Sequence, residues 1–162
     1  MPIPRFVDSY REGDHAWLQH LCGSWNGPMQ TYFGPGAPPV GSHWQLTIES
    51  VLGGRFVLLR YHAELDGKPH EGIALLGKYL LRNTWEMVWA DSFHTGTQLM
   101  FNTGKGLLPE VSGQYAVPDG SPDWGWRTRL ELNAQKQLIW KAWNITPAGE
   151  EALAFDGCFS RT

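Results

Sequence analysis

The side chains able to do chemistry are six histidines, sixteen carboxylates and two cysteines spread along 162 residues. His15, His20, His43, His62, His70 and His94 show neither His-x-His nor His-Glu-x-x-His spacing, whereas a metal site needs several ligands converging on one point. His15 and His20 are five apart in a helical segment, which does not stack them on one face. His43 and His70 open strands and are expected in solvent. His62 and Glu64 alternate along one strand and make the best doublet, yet a doublet is too few, so no metal is expected. Cys22 and Cys158 lack metal-type spacing and are expected as reduced, buried, small apolar residues; a barrel that closes on itself brings their strands together, which leaves a disulfide open. No Gly-x-Ser-x-Gly occurs, and Gly104-Lys105-Gly106 lacks the frame of a phosphate loop. The carboxylates are more suggestive. Glu49, Glu71 and Asp91 fall on successive strands, where a barrel interior can raise a pKa and make an acid or base; equally, Glu71 and Asp91 can bond to Arg55, Arg60 or backbone and fix the barrel's geometry.

The elements that must position these groups are read from periodicity. Residues 1–13 are expected to be extended. Residues 14–22 read as one short helix, with Asp14 as cap, an apolar stripe of Ala16, Trp17, Leu18 and Leu21, and Gly23 as left-handed stop. From residue 24 to 162 the period is two, in about ten short strands broken by turn residues; Asp66-Gly67 is the strongest hairpin signal. Gly34-Pro35-Gly36-Ala37-Pro38-Pro39 can be neither helix nor central strand and is a candidate rim loop. The sequence therefore predicts one all-β domain over residues 1–162: an antiparallel up-and-down β-barrel with one short N-terminal helix. In the second strand Trp44, Leu46 and Ile48 share the face expected inside. In Arg55 to Leu65 one face carries Phe56, Leu58, Arg60, His62 and Glu64, and the other Val57, Leu59, Tyr61, Ala63 and Leu65. Either the apolar face meets the core, or Arg60 and His62 point into a polar cavity.

Composition agrees with this class. Hydrophobic residues make up 42% and charged ones 18%, with 9 Trp, 19 Gly and 11 Pro, a balance of pleated-core and turn formers rather than helix formers. A net charge of −3 provides no basic field for nucleic acid or anionic membrane. A cytoplasmic location is expected, since neither a secretory pattern nor a membrane-length apolar run occurs.

Leu21-x-Gly23-x-Trp25-x-Gly27, the Gly34 to Pro39 loop, Leu52-Gly53-Gly54-Arg55-Phe56, Glu71-Gly72-x-x-Leu75-Leu76-Gly77-x-Tyr79 and Trp89-x-Asp91-Ser92 together resemble the bacterial family known as domain of unknown function 1579, in that family's order and over roughly residues 18 to 102. Where the family usually has Gly-Tyr-Asp, this chain has Gly77-Lys78-Tyr79-Leu80. The family is in turn similar to lipocalin and nitrobindin barrels, the calycin group. That resemblance implies a closed or nearly closed barrel with a central cavity, and it assigns Gly23, Trp25 and Arg161 to closure, with the arginine over the tryptophan ring at the closed end. Nitrobindin-like barrels hold haem through a late histidine; the last histidine here is His94, so no cofactor is expected.

The leading expectation is a non-enzymatic barrel that binds a small apolar or aromatic molecule. Trp44, Trp89, Trp126 and Trp140 would line its cavity, with Arg60, His62, Glu71 and Asp91 as polar handles. The alternatives are an enzyme using Asp91 or Glu71 for proton transfer, such as an isomerase or hydratase, and an oligomeric interaction protein, a homodimer in the simplest case.

Overall fold

The computed structural model describes residues 2 and 4–162. Two helices, α1 (Phe6–Glu12) and α2 (Asp14–Leu21), precede ten strands: β1 (Gly23–Thr31), β2 (Val40–Val51), β3 (Phe56–Leu65), β4 (Lys68–Tyr79), β5 (Thr84–Asp91), β6 (Met100–Gly104), β7 (Glu110–Tyr115), β8 (Trp124–Leu132), β9 (Leu138–Ile145) and β10 (Glu151–Arg161). Every strand pairs antiparallel with its neighbour in sequence, and β1 pairs with β10, so the sheet closes into a barrel without a free edge. Asp66 and Gly67 both take positive φ between β3 and β4, as a two-residue hairpin of the favoured hand requires.

The N-terminal segment corrects the sequence reading. Phe6–Glu12 is helical rather than extended, and the remainder of that expectation touches residues 1 and 3, which lie outside the described ones. Pro2 and Pro4 and the lack of an apolar stripe hide this helix in the sequence. It is held from outside: Arg55 lies 4.3 Å over the Phe6 ring, and the buried Ser9 hydroxyl bonds His15 Nδ1 at 2.9 Å. α2 spans nearly the residues expected, but the cap position is Gly13. Asp14 begins the helix and pairs instead with buried Lys78 at 3.3 Å.

α2 closes one end of the barrel. Leu18 and Leu21 are fully buried there, and burying two such side chains contributes roughly 3–6 kcal/mol. Trp25 sits beneath them and donates its indole N–H to Leu21 O at 2.9 Å. Opposite it in register on β10, Arg161 lies 4.2 Å over the Trp25 ring and donates to Cys22 O, at 2.7 Å, and to His20 O. Gly23 is needed at this seam: its φ is +138°, and a Cβ there would stand 2.7 Å from Arg161 Nη1. Cys22 and Cys158 are free and half-buried rather than buried.

The strands alternate as the parity argument requires. In β2, Trp44, Leu46 and Ile48 are buried between exposed neighbours. In β3 the apolar set of Val57, Leu59, Tyr61 and Leu65 is buried, whereas Arg60, His62 and Glu64 are exposed. The polar-cavity alternative for β3 is thereby excluded.

Candidate functional site

The end of the barrel opposite α2 is hollow. A cavity of about 400 Å³ opens there beneath the loop after β1 and the loop after β5, within the 300–1,000 Å³ typical of small-molecule sites. Its wall is aromatic. Trp44, Trp89 and Trp126 face inward and line it, joined by Tyr115, Trp124 and Phe155. Trp140 is also inward but lies one layer deeper, packed edge-on against Tyr61 and Phe155 with its N–H on Thr128 Oγ1 at 2.7 Å. It supports the floor rather than lining the space. At the mouth, Phe33 and Phe93 from the two loops meet edge to face at 5.8 Å, and both are exposed.

A buried polar network ties β3, β4 and β5 together below this mouth. Trp89 donates its indole N–H to Tyr61 Oη (3.0 Å), and Tyr61 donates in turn to Asp91 Oδ2 (3.1 Å). His70 Nε2 reaches the same oxygen at 3.0 Å. The other carboxylate oxygen accepts the backbone N–H groups of Phe93, His94 and Thr95, while Thr95 Oγ1 accepts from Asp91 N. This side-chain-capped turn shapes the loop after β5. Gly72 makes the convergence possible: a Cβ there would stand 2.3 Å from Tyr61 Oη and 2.8 Å from Asp91 Cβ.

Burial by itself would raise the Asp91 carboxyl, but the bond from His70 and those from the Thr95 and His94 backbone outweigh it and hold the group below its ordinary range. Asp91 is therefore a carboxylate with acceptor capacity only, so His70 donates Nε2–H to it. Burial, reinforced by the Asp91 charge, pushes the Tyr61 phenol well above its usual value. A carboxylate offers about four lone-pair sites, and Asp91 accepts five hydrogen bonds. It has nothing left with which to take a proton from a bound molecule.

His94, from the loop after β5, also lines the cavity. Its ring packs against Trp126 (4.3 Å between centroids), Trp89 (5.4 Å) and, edge-on, Tyr115 (4.4 Å). Burial lowers its pKa, against an opposing pull from Asp91. Its Nε2 is buried without a partner among the described residues, and so is Nδ1 of His70 on the same cavity wall.

The structure gathers the expected site residues in two separate places. Trp44, Trp89, Asp91 and Trp126 line the interior cavity, with Trp140 behind them. Arg60, His62 and Glu71 stand outside, because their parity on β3 and β4 is that of the solvent face. They border a larger, more open hollow of about 910 Å³ on the outer wall of β1 to β5. Its projecting side chains are exposed, so a molecule there stays solvated; the smaller inner cavity is the one able to desolvate a ligand. His70 corrects the reading as well. It begins β4 yet is only 5% exposed, since it shares the inward face with Gly72, Ala74 and Leu76 and the mouth loops extend past it. Sequence reasoning also passed over His94, which sits in a loop where periodicity says nothing. The signal available for it was Asp91-x-x-x-Thr95, the spacing of a side-chain-capped turn. Among the described residues, no group of three or more His, Cys, Asp or Glu is placed to hold a metal ion.

Comparison with solved structures gives the crystal structure of Rv2717c from M. tuberculosis, with a TM-score of 0.63 and 16% identity over 91% of this chain and 96% of that one; likeness at that identity is a likeness of fold. A search of curated proteins gave no match. The model of the family described as "Protein of unknown function (DUF1579)" matches residues 11–161.

Proposed function

The chain belongs to the DUF1579 family of proteins of unknown function, and on that premise we propose that its barrel binds a small, mostly apolar or aromatic molecule in the interior cavity, without catalysing a reaction. The observation that carries this reading is the wall itself. Large aromatic side chains that would fill a solid barrel instead surround about 400 Å³ of open space at one end. Aromatic walls with a few fixed polar groups are what desolvation and orientation of a small molecule require. The two carboxylates considered for proton transfer favour binding over catalysis: Asp91 is saturated by its five donors, and Glu71 projects from the outer wall. Phe33 and Phe93, edge to face across the entrance, form a small gate that a ligand passes.

Titration with N-phenyl-1-naphthylamine, a neutral probe that fluoresces in apolar surroundings, tests the reading. Saturable binding at one site is expected, lost when Ala152→Trp fills the cavity from β10. Absence of saturable binding to the wild-type protein overturns it.

A further inference from the structure

We infer that the cavity selects neutral aromatic molecules bearing a hydroxyl or ring N–H, the phenols and their heteroaromatic counterparts, and that His94 and His70 recognise that group. The inference rests on the binding function proposed above and names the ligand class for the same site.

The starting point is two unpartnered nitrogens. Among the described residues, His94 Nε2 and His70 Nδ1 are buried without a hydrogen-bond partner, and both belong to rings on the wall of one cavity. A buried polar atom left unsatisfied destabilises the fold, so folded proteins hold few of them, and two on one small cavity mark the place where a ligand supplies the partner. Several polar groups nearby are already committed. Asp91 is saturated, Tyr61 Oη both accepts from Trp89 and donates to Asp91, and Tyr115 donates to Asn144 Oδ1 at 2.7 Å.

The nature of the partner follows from what each nitrogen can do. His70 gives its Nε2–H to Asp91, which leaves Nδ1 as the ring nitrogen able to meet a ligand. His94 is held towards the neutral form by burial, and its Nε2 is donor or acceptor according to tautomer. A hydroxyl satisfies either; an N–H satisfies the acceptor form. Charge excludes the common alternatives. The cavity wall includes Asp91 and Glu150 but neither lysine nor arginine among the described residues, so an organic carboxylate or phosphate would meet two carboxyl groups and no permanently cationic side chain. The apolar remainder of the wall is largely aromatic, with Leu65, Leu153 and alanines between the rings, which favours a flat ring system as the body of the ligand.

Calorimetric titration at neutral pH with four probes of one shape decides the matter: naphthalene, 2-naphthol, 2-naphthoate and 2-naphthylmethylammonium. We expect 2-naphthol to bind about five- to tenfold more tightly than naphthalene, as one net hydrogen bond predicts, and 2-naphthoate to bind most weakly. In His94→Phe the preference for 2-naphthol falls to within about threefold of naphthalene, which itself still binds. Should that variant not fold, nitrogen NMR of the wild-type His94 ring replaces it, and its Nε2 resonance moves on adding 2-naphthol but not naphthalene. Equal affinities for naphthol and naphthalene, a preference unchanged in His94→Phe, an unmoved Nε2 resonance, or tightest binding of the anion or the cation each overturn this inference while leaving the binding function standing. Failure of all four probes to bind removes both.

Discussion

Replacing Asp91 with alanine should destabilise the barrel by about 4 kcal/mol, although the residue lies at a cavity rather than in the packed core. The magnitude follows from its partners. Of the five donors that converge on the carboxylate, the backbone N–H groups of Phe93 and His94 are only part-buried, and water can replace the oxygen they lose. The Tyr61 hydroxyl and His70 Nε2 are different: their residues are 3% and 5% exposed, and each would be left unsatisfied at about 1–3 kcal/mol. Loss of the capped turn at Thr95, worth about 1 kcal/mol by analogy with a helix cap, adds to this. Asp91→Asn should cost less, about 2 kcal/mol, because Oδ1 keeps its three backbone donors and His70 can shift its proton to accept from the new amide. Urea denaturation at neutral pH, with the slope unchanged across variants, reads these differences directly. An Asp91→Ala protein within 1 kcal/mol of wild type, or more stable than it, would refute the reasoning. The latter is what relief of strain at a catalytic carboxylate produces.

Three further outcomes are expected. Gly72→Ala should cost about 1–3 kcal/mol by pushing a methyl group into Tyr61 and Asp91, with Trp89 fluorescence shifting as its Tyr61 partner moves; a neutral effect on both would show that the convergence is loose. Arg161→Ala should cost about 1–3 kcal/mol in urea by removing the bonds to Cys22 O and His20 O and the cation over Trp25, and Arg161→Lys should recover under half of it, since an ammonium cannot span both carbonyls. As for pH, burial depresses the folded pKa of His94 and of His15 below the ordinary 6.5. Their contribution to stability is therefore complete above about pH 6.5 and is lost as pH falls from there through the folded values. The contribution of Asp91, also depressed, persists to lower pH and goes last. Thermal melts should show the first loss shrinking in His94→Phe; an identical pH profile would contradict the assignment.

The barrel was largely legible because alternation is a local signal that the closed sheet preserves. Trp44-x-Leu46-x-Ile48 and the apolar face of Val57 to Leu65 point inward as their spacing requires, and Asp66-Gly67 turns where its φ preference says. The same rule explains Arg60, His62 and Glu71, which share the parity of the solvent face and so cannot reach the cavity. What stayed hidden depends on depth and on loops. Parity puts His70 on the inward face of β4, but its burial turns on how far the mouth loops extend past the start of that strand, which no pattern within β4 records. His94 gains its surroundings only when β5, β7 and β8 bring Trp89, Tyr115 and Trp126 around one loop. Helix α1 owes its place to contacts with Arg55 and His15 rather than to an amphipathic stripe of its own.

The interior cavity is where the proposed ligand sits. Crystals soaked with N-phenyl-1-naphthylamine test this: electron density for the probe is expected inside the barrel mouth, against Trp126 and Phe155 and beneath Phe33 and Phe93. Density confined to the outer hollow beside Arg60 and Glu71, or an interior left empty while the probe binds saturably in solution, would contradict it.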